Sequence, residues 1–179
     1  MRYNPQLIQL VLDKLAKGLY SSFGTTFQSI NWKSGKAPEG LTEEGFNVAL
    51  EKAADSYKAE CLQLQLTGIC DRLQQEKIIQ LLGKHRATKG QLERYERKYS
   101  KAKNAEPKTE EDLLIIDKHH AFLALIDQHI EVLEALRQGI DDLIKAGQLD
   151  TASSLIEKAE GFTTSINLAD VEQLLQGAS

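Results

Sequence analysis

The sequence is poor in cysteine, proline and aromatic side chains. Its 179 residues include two cysteines, three prolines and one tryptophan, and aromatic residues make up only 6 %. Proline interrupts helices, whereas β-branched and aromatic residues favour strands. Because proline is scarce and β-branched residues seldom occur in runs, the composition favours an all-α chain.

The two cysteines, Cys61 and Cys70, lie nine residues apart. On one continuous helix they would be about 13 Å apart, which is too far for a disulfide bond. We therefore expect two reduced thiols and a reducing, cytoplasmic compartment. The first residues show no signal peptide, and no run of apolar residues approaches the length of about 18 that a membrane span requires.

Sequence motifs for catalysis are absent. The chain contains no GxSxG, no HExxH and no cysteine with a histidine at a recognisable spacing. Gly35-Lys36 lacks the upstream glycine and the following Ser or Thr of a phosphate-binding loop. Di-iron helical bundles need Glu-x-x-His, which does not occur here. We therefore predict that the protein is not an enzyme and has no catalytic residue, metal site or cofactor.

The longest helical pattern covers residues 109–146. Apolar residues and two histidines recur at alternating steps of four and three, and further apolar residues flank this seam on both sides. A stripe this wide needs at least two neighbouring helices, so it predicts the core helix of an antiparallel bundle with coiled-coil-like long helices. The helix is about 50–55 Å long at 1.5 Å per residue, which predicts an elongated molecule. The seam consists of Ile115, His119, Phe122, Ile126, His129, Leu133, Leu136, Ile140 and Leu143.

Helix-start and helix-end signals divide the chain into elements of one helical domain. Gly68 interrupts the apolar stripe of the second long helix and predicts a kink or a close helix crossing. The short turn before the core helix predicts an antiparallel hairpin in which Tyr95 and Tyr99 cover Leu113 and Ile116. The predicted elements are a helix at 4–20, an ordered loop at 21–41, a long helix at 42–104 that breaks near Gly83 and Gly90, the core helix at 109–146, and short helices at 150–160 and 167–176.

The predicted loop at 21–41 contains the only tryptophan, Trp32, together with Phe27. Loops of this length are uncommon unless they are functional or disordered, and large apolar residues argue against disorder. One interpretation is a loop pinned across the end of a bundle. The alternative is a partner-binding loop, in which Phe27 and Trp32 anchor the partner.

A basic stretch precedes the core helix. Residues 1–108 carry 18 Lys and Arg against 12 Asp and Glu, whereas residues 109–179 carry 4 against 14. One interpretation is a solvated helix that docks against an acidic surface, either of a partner or of residues 109–179. The other is phosphate binding, since cations along one helix face neutralise several phosphates without reading sequence. The candidate binding residues are Lys84, Arg86, Lys89, Arg94, Arg97, Lys98, Lys101 and Lys103.

His119 and His129 fall on the apolar seam. Polar groups buried at such positions must be hydrogen bonded, and they can select the register of neighbouring helices. We interpret them as core histidines. The alternative interpretation is a pH-sensitive contact.

Two partial resemblances complete the sequence evidence. Residues 146–160 resemble the turn and second helix of a tetratricopeptide repeat in Gly147, Leu149, Ala152, Leu155, Lys158 and Ala159. No second copy follows at the 34-residue period, so we interpret this likeness as convergent hairpin chemistry. In size and class, the chain also resembles small helical subunits of CRISPR effector complexes, by analogy only and without a shared motif.

These patterns predict a non-catalytic helical interaction or adaptor protein, a small subunit of a larger assembly, with protein partners and no membrane contact. They leave a homo-oligomer open. The alternative is a helical subunit of a nucleoprotein complex that binds the nucleic-acid backbone through residues 84–103.

Overall fold

The structure, a computed structural model, describes residues 4–83 and 89–177. Within these ranges helices dominate, beside one two-stranded sheet, which confirms the predicted all-α class. The coiled-coil-like character of the long helices and the single-domain organisation stay predictions. The helices are α1 (Pro5–Leu15), α2 (Glu43–Leu81), α3 (Lys89–Asn104), α4 (Glu110–Lys145), α5 (Leu149–Glu160) and α6 (Leu168–Gln176), and the strands are β1 (Tyr20–Ser22) and β2 (Asn31–Trp32).

The chain divides into two compact units, the first ending at Cys61 and the second beginning at Leu62. In the first unit, α1 and the N-terminal part of α2 enclose an apolar core that the segment between them helps to cover. Asn4 starts α1 by accepting a hydrogen bond from the backbone N–H of Gln6 at 2.8 Å. The fully buried members of this core are Leu7, Ile8, Val11, Leu12, Ile30, Phe46 and Leu50.

The first helix is shorter than the predicted 4–20, since α1 ends at Leu15. Gly18 has a φ of 76°, which no α-helix accommodates, and the chain reverses there. Tyr20 then pairs with Trp32 across the antiparallel β1–β2 hairpin. The first part of the predicted loop at 21–41 therefore forms a short hairpin rather than irregular chain.

The second unit is organised around α4. Thr109 caps this helix, because its hydroxyl accepts the backbone N–H of Asp112 at 3.1 Å and the carboxylate of Asp112 accepts the N–H of Thr109 at 3.0 Å. Gly147, with a φ of 75°, closes the other end, as its position after the last periodic residue predicts. α3 packs on the first part of α4, whereas α5 and α6 pack on its second part.

The second long helix breaks near Gly83, one of the two glycines that predict a break, whereas the other, Gly90, lies within α3. α2 ends at Leu81, Gly83 has a φ of 91°, and α3 begins at Lys89, so residues 42–104 form two helices in the described part of the chain. At Gly68, however, α2 continues without interruption, and a Cβ atom placed there would have no neighbour within 4 Å. Of the two alternatives predicted at Gly68, the close helix crossing is therefore wrong, and the kink stays a prediction.

The close approach occurs at Gly139 of α4 instead. A Cβ atom there would lie 2.8 Å from Cδ2 and 3.2 Å from Cγ of Leu175, which belongs to α6. Both glycines interrupt an apolar pattern, and only the packed fold distinguishes the one that has a neighbour.

We expect Gly68→Ala to raise the free energy of unfolding by about 0.5–1 kcal/mol, because alanine favours the helix and has open space at this position. Gly139→Ala should show a smaller gain or none, because the new methyl group forces the side chain of Leu175 to move. Urea unfolding of the two variants provides the measurement. Equal stabilisation by both substitutions would contradict the packing of α6 on α4.

Candidate functional site

The candidate site is the solvent-facing side of α3. Tyr95, Tyr99 and Ala102 recur at helical spacing and turn towards α4, with Ala102 buried and both tyrosines half-buried. The opposite side of α3 carries the cations. We call Arg94, Arg97, Lys98 and Lys101 the basic face; all four are exposed, as the helical period predicts.

The other predicted cations have different positions. Lys103 is exposed on the last turn of α3, with its Nζ 5.7 Å from the centre of the Tyr99 ring. Lys89 is the first residue of α3. Lys84 and Arg86 lie outside the described residues.

The charge of the basic face is scarcely neutralised within the chain. Arg97 contacts Glu93, one turn earlier on α3, at 4.0 Å, and both side chains are more than half exposed. Such a pair contributes at most about 0.5 kcal/mol. In the described ranges, no ion pair joins the basic face to an acidic residue of α4, α5 or α6. Hydrogen bonds from Thr109 lower the pKa of Asp112 at the start of α4, and the charge of Lys101 lowers it further, so one cation of the basic face acts on the acidic half without forming an ion pair.

A ring stack attaches α3 to α4. Tyr99 lies over the His119 imidazole at a centroid distance of 3.7 Å and an interplanar angle of 17°. Tyr95 approaches His119 and Phe122 at 5.5 and 5.6 Å. Leu113, which the sequence predicts to lie beneath the tyrosines, is instead 49 % exposed. The prediction for Leu113 is wrong because the flat His119 and Phe122 rings, about two turns further along α4, receive the tyrosine rings. The half-buried Ile116 stays a predicted neighbour of the tyrosines.

Both seam histidines are buried, as predicted, and burial lowers the pKa of each. The prediction that both are hydrogen bonded is wrong for His119, whose buried Nδ1 has no partner among the described residues. The Nε2 atom of His129 lies 3.3 Å from the backbone oxygen of Leu73 on α2. This hydrogen bond raises the pKa of His129, and the nearby charge of Lys77 lowers it, but burial is the largest effect. His129 therefore joins α4 to α2 in its neutral form.

Since the pKa of His129 in the folded chain lies below its ordinary value of 6.5, the unfolded chain binds its proton first as the pH falls. Stability should therefore be greatest above about pH 6.5 and decrease below it, with His119 acting in the same direction. His129→Gln removes the titrating group. In urea unfolding, the decrease in the free energy of unfolding from pH 7.5 to pH 5.5 should therefore be smaller in this variant than in the wild type. The exposed His120→Gln is the control, and an equal loss in the His129 variant and the wild type would contradict this assignment.

Phe27 and Trp32 lie on the core of the first unit. Their ring centroids are 5.9 Å apart, and Phe27 also approaches Phe46 of α2 at 5.5 Å. Both residues are half-buried, so part of each ring covers this core. A role for them as partner anchors stays a prediction.

The remaining candidate chemistry is sparse in the described ranges. Cys61 and Cys70 are free thiols; burial raises the pKa of Cys70, which disfavours the nucleophilic thiolate. No group of three or more His, Cys, Asp or Glu side chains in residues 4–83 and 89–177 could hold a metal ion. Nor is any helix in those ranges long and apolar enough to cross a membrane.

An open groove of about 750 Å³ lies between α1 and the first part of α2, within the first unit. Leu10 and Leu15 are 41 % and 45 % exposed beside it, and Asp13 at its edge accepts a hydrogen bond from the Tyr20 hydroxyl at 2.6 Å. This hydrogen bond raises the pKa of Tyr20. The groove carries acidic and basic side chains, and its charge therefore selects no class of ligand.

Sequence reasoning missed the leucines of the first part of α4. The pattern predicts an α4 stripe covered along its length, but the exposed fractions are 49 % for Leu113, 53 % for Leu114, 39 % for Leu123 and 47 % for Leu125. All four lie off the seam of steps four and three, which is the one sequence signal that could have identified them. The α3–α4 hairpin therefore presents cations and apolar side chains together.

Comparison of the chain with models of protein families, with curated proteins and with solved structures found no significant match. The functional evidence therefore consists of the chain's own surface chemistry.

Proposed function

We propose that this protein is a non-catalytic helical interaction protein, a small subunit of a larger assembly, and that it docks through the α3–α4 hairpin. The observation that carries the proposal is the pairing of the exposed basic face of α3 with exposed leucines on α4. The two free cysteines are consistent with a reducing compartment such as the cytoplasm.

The basic face supports docking because its charge is available. Among the described residues, only Arg97 of this face forms an ion pair, with Glu93 on the same helix, and Lys101 acts on Asp112 of α4 at longer range. Exposed cations of this kind accelerate association with an oppositely charged surface and favour such a surface as the partner. The expected partner surface therefore includes carboxylates or phosphates.

The leucines support docking because water contact with them is unfavourable. Leu114 and Leu125 are about half exposed although they are large and apolar. Burying such side chains contributes about 25 cal/mol per Å² of apolar surface. A partner that covers both the leucines and the cations would combine apolar burial with charge complementarity, as in helix-in-groove recognition.

A second candidate function is binding to the backbone of a nucleic acid. The basic face extends over about 10 Å of helix, from Arg94 to Lys101, which matches the spacing of a few phosphates. Binding of this kind is independent of sequence and weakens steeply with salt. The half-exposed leucines do not contribute to it.

Reversing the charge of the basic face distinguishes the two proposed functions. We expect the variant Arg94→Glu/Arg97→Glu/Lys98→Glu/Lys101→Glu to lose at least tenfold in affinity for whichever anionic partner the face binds, because each contact becomes repulsive. The matched control is Lys14→Glu/Lys17→Glu/Lys33→Glu/Lys36→Glu, which makes the same change in net charge on exposed residues of the first unit.

Two measurements use these variants. Fluorescence anisotropy at 50 mM salt with labelled single-stranded DNA, single-stranded RNA and duplex DNA tests nucleic-acid binding. Nuclease-treated affinity purification from the source cells, compared between wild type and both variants, tests a protein assembly. Proteins retained by the wild type and the control, and lost with the α3 variant, would support the interaction protein. Anisotropy changes that disappear with the α3 variant alone would favour the nucleoprotein function, and retention of every ligand by the α3 variant would contradict both.

A further inference from the structure

One side of α4 is covered by the chain at one end and bare at the other. Leu114, Leu125, Val132 and Gly139 follow each other at steps of 11, 7 and 7 residues, each of which returns to nearly the same side of a helix. At Gly139 the side chain of Leu175 from α6 covers this side. At Leu125 and Leu114 the exposed fractions are 47 % and 53 %. The surface that α6 uses thus continues, uncovered, along the hairpin.

The two helices of the hairpin, α3 and the first part of α4, carry net charges of opposite sign. α3 contains six Lys or Arg against two Glu, whereas the part of α4 from Glu110 to Asp127 contains five acidic residues against Lys118. The two helices are antiparallel, since Tyr95 meets Phe122 and Tyr99 meets His119 and His120. Ideal helical geometry places Arg94 and Lys98 on the side of the hairpin that bears Leu114 and Leu125.

We propose that a second copy of this chain covers this face, with the two α3–α4 hairpins forming an intermolecular four-helix bundle about a twofold axis parallel to the helices. This inference rests on the proposed interaction function and names its partner. Rotation by 180° about such an axis places the basic α3 of each copy over the acidic α4 of the other, so Leu114 and Leu125 of each copy are covered by α3 of its partner.

The charge pattern favours a second copy over an unrelated acidic protein. An acidic partner attracted to α3 would be repelled by the acidic residues of α4 on the same hairpin. A second copy in the twofold arrangement avoids this repulsion, because the basic α3 of each copy faces the acidic α4 of the other and the contact is made twice.

The stacked rings identify one specific contact. Tyr99 lies at the level of His119, and the helices are antiparallel, so Lys101 and Asp117 share one level along the hairpin. A twofold axis parallel to the helices preserves this level. Both side chains are exposed, so Lys101 of each copy would meet Asp117 of the other.

The first test is the mass of the full chain in solution by sedimentation equilibrium and light scattering, from about 1 to 200 µM. We expect a dimer that dissociates on dilution. Leu114→Glu/Leu125→Glu should give a monomer with unchanged helical circular dichroism, since both positions are exposed in the single chain. The control Leu113→Glu/Leu123→Glu adds the same charges to other sides of α4 and should remain a dimer.

The second test mixes two single variants. Lys101→Glu places two acidic residues in contact within its own dimer, and Asp117→Lys places two lysines in contact, so each should dimerise roughly tenfold more weakly than wild type. In the mixed dimer one pair is native and the other is reversed but still attractive. Mixing the variants should therefore restore affinity close to the wild-type value, which a purely structural effect of either substitution would not do.

A chain that stays monomeric at every concentration would overturn the twofold bundle, as would a dimer that is insensitive to the Leu114 and Leu125 substitutions or equally sensitive to the control. A monomer that still loses its partners on reversal of the basic face would leave the interaction function standing. A dimer that retains no other macromolecule would support the twofold bundle and contradict the proposal that the protein is a subunit of a larger assembly.

Discussion

The structure of the second unit depends on one constraint: α4 has more apolar length than any single neighbour covers. α4 has 36 residues, whereas α3 has 16, α5 has 12 and α6 has 9, and of α2 only the part from Leu62 to Leu81 belongs to this unit. The chain covers the second part of α4 with α2, α5 and α6, and there the seam residues Leu133, Leu136, Ile140 and Ile144 are buried. Towards the start of α4 it supplies α3, and large leucines remain half exposed. The division between a buried second part and an incompletely covered first part gives the protein its candidate interaction surface.

Histidine rings connect α4 to its neighbours at two levels. His119 receives the Tyr99 ring, and His129 forms a hydrogen bond with the Leu73 backbone oxygen. A neutral imidazole has a flat face that packs against apolar side chains and ring nitrogens that can form hydrogen bonds. A leucine at the same position could pack but could not form a hydrogen bond. The His119 stack also fixes the rotation of α3. With Tyr95 and Tyr99 held inward, helical geometry directs the basic face outward, and the packing of the core thereby sets the position of the surface charge.

Charge is separated along the sequence and adjacent in space. The basic residues belong to α3 and the acidic ones to the start of α4, and the short turn at 105–109 brings the two helices together. Such an arrangement is self-complementary under a twofold rotation, whereas either helix alone would attract only one sign of charge. The exposed leucines and the opposed charges are therefore two parts of one surface, and a proposal about function has to account for both.

The sequence by itself determined the all-α class, the position of α4, its Thr109 cap, the break near Gly83 and the exposure of the basic face. Each follows from local chemistry: helical period, a capping side chain, or a glycine that adopts positive φ. Only the tertiary structure decided that Gly139 rather than Gly68 meets another helix, that Tyr95 and Tyr99 pass Leu113 to reach His119, and that Leu114 and Leu125 stay uncovered. The spacing of apolar residues in the sequence shows which side of a helix is apolar. Which neighbour covers that side, and where the neighbour ends, depends on contacts between residues far apart in the chain.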